Sequence, residues 1–400
     1  MSNSDAPGKV LIIGAGPGGL ALAHVLHKNG VPFELFERDE APDARKQGWA
    51  FSLMEANKAL AELLPEDMVM GLKSTSVHFG TDVPNEIAFT DAITGEVTAK
   101  IGGSESAVPS PVMTVNRYEV RGYLWNYDNL PITSNKQFSH YEEDDSGVTA
   151  YFTDGTSARG SLLIGADGLH SPVRNQLLGP FAPQPVQSQL VPLFGELDLP
   201  PEISDPLHAV AKTLILSSAP GLRVRVGVVG KGKDPSTNHY LWALIFRPDN
   251  PEQLADWVVQ ASPQELYDYA IKNIEHLHPT IHSYIKYGGP EAIVTPPPRF
   301  QDFVTPETLP TGRVTIIGDA AHTMIPLRGA GANTAILDAC TIGKLLIKAK
   351  ADSRDFKTVI APYTAIMIPR GRKAVLSSRA AGNAEYDDPV GYWNYIQNDF

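Results

Sequence analysis

Lys9-Val-Leu-Ile-Ile-Gly-Ala-Gly-Pro-Gly-Gly-Leu-Ala-Leu-Ala-His-Val-Leu-His-Lys-Asn-Gly30, followed by Val31-Pro-Phe-Glu-Leu-Phe-Glu-Arg38, is the stretch that decides the fold. Val10 to Ile13 is an unbroken apolar run, the pattern of a strand buried on both faces. Gly14, Gly16 and Gly19 then give G-x-G-x-x-G, with Pro17 and Gly18 inside the turn. Glycines there let backbone amides and a helix N-terminus approach a pyrophosphate. A helix from Gly18 to Lys28 ends at Asn29-Gly30, and a second strand, Val31 to Phe36, delivers Glu37. A carboxylate at that strand end can accept both hydroxyls of a ribose. Strand, glycines, helix, strand and acid in this order predict a dinucleotide site.

The rest of the composition narrows the class. A chain of 400 residues with 42% apolar content can bury a large core and has the length of two domains. A net charge of −12 disfavours a nucleic-acid or anionic-membrane surface. The polar N-terminus lacks the basic and apolar regions of a signal peptide, and no apolar run is long enough for a bilayer. The expectation is a soluble, cytoplasmic monomer or homodimer that acts on a small molecule. Cys340, the single cysteine, rules out an internal disulfide and reads as a small core residue; no metal is expected.

Further along, Trp49 to Leu53 reads as a short strand and Met54 to Leu64 as a helix stopped at Pro65. Ser74 to Pro111, including Val77-His-Phe79, reads as antiparallel strands. Val115 to Leu124 has helical spacing, and Phe138 to Phe152 reads as a hairpin turning at Asp145-Ser-Gly147. Ser161 to Gly165 is another buried strand, ending in Asp167-Gly168. Pro180 to Pro201 reads as a proline-rich crossing. The runs 213–216, 223–229 and 239–246 read as an open antiparallel sheet covered by a helix pair between Pro251 and Glu275. After the return crossing at Pro296-Pro-Pro-Arg299, Arg313 to Ile317 is a third strand ending in Gly318-Asp319. A long helix is predicted from Asn333 to Lys350, and a last one from Phe356, kinked at Pro369.

Three motifs in this order resemble the group A FAD-dependent monooxygenases, the p-hydroxybenzoate hydroxylase-like flavoprotein hydroxylases. They are Gly14 to Glu37; Asp167-Gly168 with His170, Ser171 and Arg174; and Gly318-Asp319-Ala-Ala-His322 with Pro326, Gly329, Gly331 and Asn333. The resemblance implies an α/β fold: a Rossmann-like FAD-binding domain of the glutathione reductase type with an inserted antiparallel-sheet substrate domain. The implied FAD domain comprises 1–73, 111–180 and 295–381, the substrate domain 74–110 and 181–294, and the tail 382–400. The implied FAD-binding residues are Gly14, Gly16, Pro17, Gly18, Gly19, Glu37, Arg38, Arg45, Ala50, Arg117, Asp167, Asp319, Pro326, Gly329, Gly331, Ala332 and Asn333. No catalytic side chain is assigned.

The implied reaction consumes NADPH or NADH, which binds transiently without a domain of its own. Reduced FAD adds O2 to give a C4a-hydroperoxide, whose distal oxygen hydroxylates or epoxidises a small aromatic or secondary-metabolite substrate. The protein's part is orientation and a dry pocket. The alternatives are a related oxidase or reductase without oxygen insertion, and a non-catalytic flavin-binding sensor. Several conspicuous residues have plainer readings. His322, beside Asp319, is read as hydrogen bonding that holds the loop rather than as a catalytic base, His276, His278 and His282 are separated by Pro279, and Tyr240 and Trp242 share one face of a strand as core.

Overall fold

The structure, a computed structural model, describes residues 8–44, 50–53, 55–79, 83–103, 113–180 and 182–384. β1 (Val10–Ile13), α1 (Pro17–Lys28) and β2 (Phe33–Phe36) form the strand–helix–strand unit, with Gly30 at φ +61° closing the helix. β3 (Ala50–Leu53), α2 (Glu55–Ala61) and α3 (Glu66–Gly71) follow, and then the hairpin β4 (Glu86–Asp91) and β5 (Val97–Gly102). β6 (Met113–Asn116) pairs with β3 and runs straight into α4 (Arg117–Asn126), capped by the Asn116 side chain on the Tyr118 and Glu119 amides. β7 (Ile132–Thr133), the hairpin β8 (Phe138–Asp144) and β9 (Gly147–Phe152), β10 (Ser157–Gly160), β11 (Leu162–Gly165) and α5 (Pro172–Leu178) complete this half.

The chain then passes through β12 (Val186–Gln187) to β13 (Val191–Leu199), α6 (Pro201–Val210), β14 (Leu214–Ala219), β15 (Leu222–Lys231) and β16 (Asn238–Phe246). Three helices follow, α7 (Pro251–Gln260), α8 (Pro263–Ile274) and α9 (Pro279–Gly288). β17 (Gln301–Asp302) pairs with β12 where the chain returns. β18 (Val314–Ile316), the single turn α10 (Asp319–His322), α11 (Ala330–Ala351) and α12 (Ile360–Asn383) close the described residues.

Two main sheets result. The first is parallel, in the order β18-β11-β1-β2-β7, and every residue of β1 and β11 is buried. The second has six strands, β13-β16-β15-β14-β4-β5. Alternation gives it two apolar faces. Val224, Val226, Tyr240, Trp242 and Leu244 pack with α6 to α9 through Leu207, Leu266, Ile281 and Tyr284. Phe194, Ala243 and Ile245 face the other way, onto Phe300 and Ile325. Among the described residues no helix is long and apolar enough to cross a membrane.

Several expectations are corrected. The second sheet is mixed, because β14 pairs with β4 in parallel. Val77 to Phe79 is a turn rather than a strand, tied to β6 by the bridge of Ser76 to Val115 and the Val77 amide on Thr114 O, with His78 Nε2 2.8 Å from Thr213 Oγ1. Residues 113–116 are strand, so the helix begins at Arg117, two residues beyond Val115. The crossing after Pro180 contains β13, a nine-residue strand at the sheet edge, where Pro192 removes no required ladder bond. Pro279 opens α9, a helix not expected from the sequence. α11 begins at Ala330, three residues before the expected start.

Candidate active site

Because β18, β11, β1 and β2 are adjacent and parallel, the residues just beyond them share one sheet edge. Asp319, Asp167, Gly14 and Glu37 therefore line up side by side, at the carboxyl ends where open α/β sheets bind ligands.

The glycines divide by task. A Cβ at Gly14, which has φ +108°, would lie 2.4 Å from Ala166 O, and one at Gly19 would lie 2.0 Å from Gly14 O. At Gly18 it would lie 3.2 Å from the Ala335 Cβ of α11. These three permit close packing of strand, turn and helices. A Cβ at Gly16 would meet nothing within 4 Å, so here the backbone faces open space at the start of α1. Pro17 occupies the first turn, which carries no acidic residue. That cradle fits a phosphate.

Glu37 is buried; its carboxylate accepts the Ala15 amide at 2.7 Å and the Asp39 amide at 2.9 Å, while Arg38 beside it is exposed. Arg121, unnoticed in the sequence, secures this corner. It donates to Ala15 O, Pro42 O and Asp39, and its Nη2 lies 3.6 Å from Glu37. Its signal was the spacing of four from Arg117 on one helix face. Arg117 is the half-buried first residue of α4, and Ala50 sits opposite Asn116 in the β3–β6 pair, packed against the core of the second sheet. Arg45 lies outside the described residues.

Asp167 accepts the Ser171 hydroxyl at 2.5 Å and the Val173 amide at 3.2 Å, and burial pushes its pKa up to about 6. Arg174 donates to Leu169 O and to Ala320 O, with its guanidinium over the Phe303 ring at 4.5 Å. It thus joins the Asp-Gly loop to the Gly-Asp loop. Asp319 follows Gly318 at φ +61°, and its Oδ1 would lie 3.9 Å from a Cβ on Gly331. Gly329, left-handed at φ +63°, caps α11; Gly331 and Ala332 are part-exposed in the helix's first turn, and Pro326 is exposed on the loop before it. Asn333 donates to Ser52 O at 2.6 Å, fastening this helix start to β3. His322 is held by hydrogen bonding, as expected, and the partner lies on α11. It is Asp338, with Nε2 to Oδ2 at 2.5 Å, and the ring is buried.

The edge thus offers an open glycine turn at the start of α1, a buried acid at the end of β2 and an acid-free helix N-terminus beside Asp319. Together they fit a dinucleotide carrying a ring system that gains negative charge.

A family model described as an FAD binding domain matches residues 8–377. The FAD-dependent monooxygenase thnD of Trichoderma harzianum is 32% identical over 378 residues, 92% of each chain. This chain is a group A flavoprotein monooxygenase. A further relative of this monooxygenase, dbaB of Emericella nidulans, is 31% identical, covering 87% of this chain and 89% of its own. The fold matches that of HpxO from Klebsiella pneumoniae, solved with FAD and uric acid. The TM-score is 0.75 at 23% identity, with 100% of this chain and 94% of that chain covered. The monooxygenase carries His278 as the cap of α9, while His282 bonds Ile274 O, so neither is set up as a ligand. Tyr240 and Trp242 are core, as their shared face suggests.

Proposed function

We propose that this monooxygenase uses NADPH or NADH to insert one atom of O2 into a small aromatic or secondary-metabolite substrate, by hydroxylation or epoxidation. The supporting observation is the position of Ile325. It lies in one apolar cluster with Phe194, Ala243, Ile245 and Phe300, seating the 323–329 loop on one face of the six-stranded sheet. Leu216 and Phe89 form a second apolar cluster with Ile87 and Ile101 on β14, β4 and β5. Arg225 stands on β15 between the two clusters, opposite Ala243 and Leu216 in the ladder. A planar, electron-rich ring between these walls would lie against the cofactor and away from water.

FAD, when bound, supplies electron storage and the activation of O2 for transfer. The chain's residues do the holding. Gly16 and the α1 N-terminus take the pyrophosphate, Glu37 the ribose, and Asp319 the ribityl hydroxyls. The amides of Gly331 to Asn333 and the positive end of α11 favour negative charge on the reduced ring. Arg117 contacts the flavin from the start of α4, Ala50 lies close to the adenosine or flavin, and Asp167 stands on the loop after β11. In this reading the parallel sheet belongs to a glutathione reductase-type FAD domain, residues 1–73, 111–180 and 295–381. The substrate domain is 74–110 and 181–294.

The test is anaerobic flavin reduction by NADPH and by NADH across a panel of phenols and planar heteroaromatics, followed by turnover under labelled O2. A substrate that accelerates reduction and leaves with one labelled oxygen is the expected outcome. Peroxide with unmodified substrate throughout the panel would point to an oxidase.

A further inference from the structure

Beneath the cofactor edge lies a cluster that the binding residues do not include. Asp338 sits in the middle of α11, fully buried, in the otherwise apolar run Ala335 to Cys340. It accepts three groups from three elements. Its Oδ2 takes the Gly318 amide at 2.9 Å and the His322 Nε2 at 2.5 Å, and its Oδ1 takes Arg370 Nη2 of α12 at 2.8 Å. The His322 ring is buried too, and its Nδ1 has no partner among the described residues. Gly371 lets α12 close on the ring, since a Cβ there would lie 2.6 Å from His322 Cδ2.

We propose that Asp338, with His322 and Arg370, is a positioning residue for FAD: it fixes the Gly318–Asp319 turn against the first turn of α11. Gly318 has φ +61°, and a Cβ on it would lie 2.9 Å from Ala335, so the turn is held in a conformation that the strand alone does not dictate. Without the Asp338 acceptor the Gly318 amide is buried and unsatisfied, and the direction in which Asp319 leaves the strand is no longer set. Burial opposes the imidazolium, but Asp338 beside it raises the His322 pKa above its ordinary value, which supports a charged pair. The inference rests on the reading that Asp319 and α11 face FAD.

The experiment compares full-length wild type with Asp338→Asn, His322→Gln, Arg370→Gln and, as control, Tyr363→Phe. Tyr363 is equally buried, lies near Asp338 and Arg370, and donates to Ile316 O of the same strand at 3.0 Å, but makes no hydrogen bond to Gly318 or the triad. Each protein is stripped of FAD; its melting temperature is measured, it is titrated with FAD by fluorescence, and the midpoint potential of the reloaded flavin is determined. The expected result is at least a tenfold higher FAD Kd for Asp338→Asn, and threefold or more for the other two triad variants, with a shifted potential. Tyr363→Phe should lower the melting temperature while leaving Kd and potential within twofold of wild type. If Asp338→Asn does not fold, the His322 and Arg370 variants decide. Triad variants that lose only melting temperature, with Kd and potential within twofold of wild type, overturn the proposal. So does a control that weakens FAD binding as much as they do. Wild type that takes up no FAD would sink the cofactor reading itself.

Discussion

The carboxylate of Glu37 accepts the backbone N–H of Ala15 at 2.7 Å, so the acid that closes β2 is fastened to the middle of the glycine turn that follows β1. One side chain thereby sets the spacing between the glycine turn and the end of β2, the two positions proposed to hold the pyrophosphate and the ribose. A hydrogen bond to a charged group contributes about 1.5–3 kcal/mol. Glu37→Ala should therefore raise the FAD Kd by roughly ten- to hundredfold. Glu37→Gln, which keeps one acceptor oxygen, should lose less. Fluorescence titration of the FAD-free protein measures both, and wild-type affinity in the alanine variant would remove Glu37 from the site.

The glycine turn yields a sharper contrast. Gly14→Ala forces a Cβ to 2.4 Å from Ala166 O at φ +108°, a clash with backbone plus left-handed strain of about 1–3 kcal/mol. It should lower the melting temperature with or without FAD. Gly16→Ala meets nothing within 4 Å in the protein, so the FAD-free protein should melt close to wild type. A methyl group should stand in the phosphate cradle instead, leaving a purified protein with little yellow colour. Equal FAD content in the two folded proteins would show that Gly16 does not face the cofactor.

What the residues disclose about this fold depends on how locally each feature is specified. β1, α1 and β2 were legible because a buried strand, a glycine turn and a capped helix are all written within thirty consecutive residues. Asp167 and Asp319 were legible as strand-end acids, and the sheet order then places Asp167 beside Gly14 and Asp319 one strand further along the same edge. Edge strand β13 was hidden because Pro192 and the flanking prolines mimic a linker, and only the pairing with β16 reveals a strand. Asp338 and Arg121 were missed for a different reason. Each acts on a turn distant in sequence, and nothing near either residue names its partner. An acid in the apolar run of α11 was the available signal for Asp338.

The buried histidines predict a pH dependence. His24 Nε2 lies 2.7 Å from Leu124 O, and burial, outweighing that bond, pushes its pKa down from 6.5 to about 4. Burial, with His208 and Lys231 nearby, likewise pushes His78 down to about 4. With the folded value below the unfolded one, the unfolded chain binds protons first, so stability rises with pH through this range. The contribution is fully present above 6.5 and is lost as pH falls toward 4. Urea midpoints measured from pH 7.5 to 4.5 should decline, and His24→Gln should flatten that decline. A parallel slope in the variant would show that His24 is not a titrating element of the fold.

Arg223 of β15 and Arg247, just beyond β16, converge on the end of α12, and their coupling is measurable. Arg223 donates to Ala381 O at 2.9 Å, Ala384 O at 2.6 Å and Gly382 O at 3.3 Å. Arg247 donates to Asn383 O at 2.9 Å, Ala384 O at 3.1 Å and also Gly382 O. These carbonyls have no acceptor role inside a helix that stops there, so guanidinium groups satisfy them and complement the negative helix end. Arg223 is buried while Arg247 is exposed, and Arg223→Met should cost the more, about 1.5–3 kcal/mol. Because the two share the carbonyls of Gly382 and Ala384, losing one lets the last turn fray and strips the other of its partners. The double variant should then cost less than the sum of the singles, by roughly 0.5–3 kcal/mol in urea denaturation. Gly382 also packs near Ile325 and Leu327, with a built Cβ 3.4 Å and 3.6 Å from their Cδ1 atoms. Fraying should therefore raise hydrogen exchange across residues 323–329, the loop that carries Pro326. Strictly additive costs with unchanged exchange in that loop would mean that the clasp ends at the helix and does not reach the cofactor side.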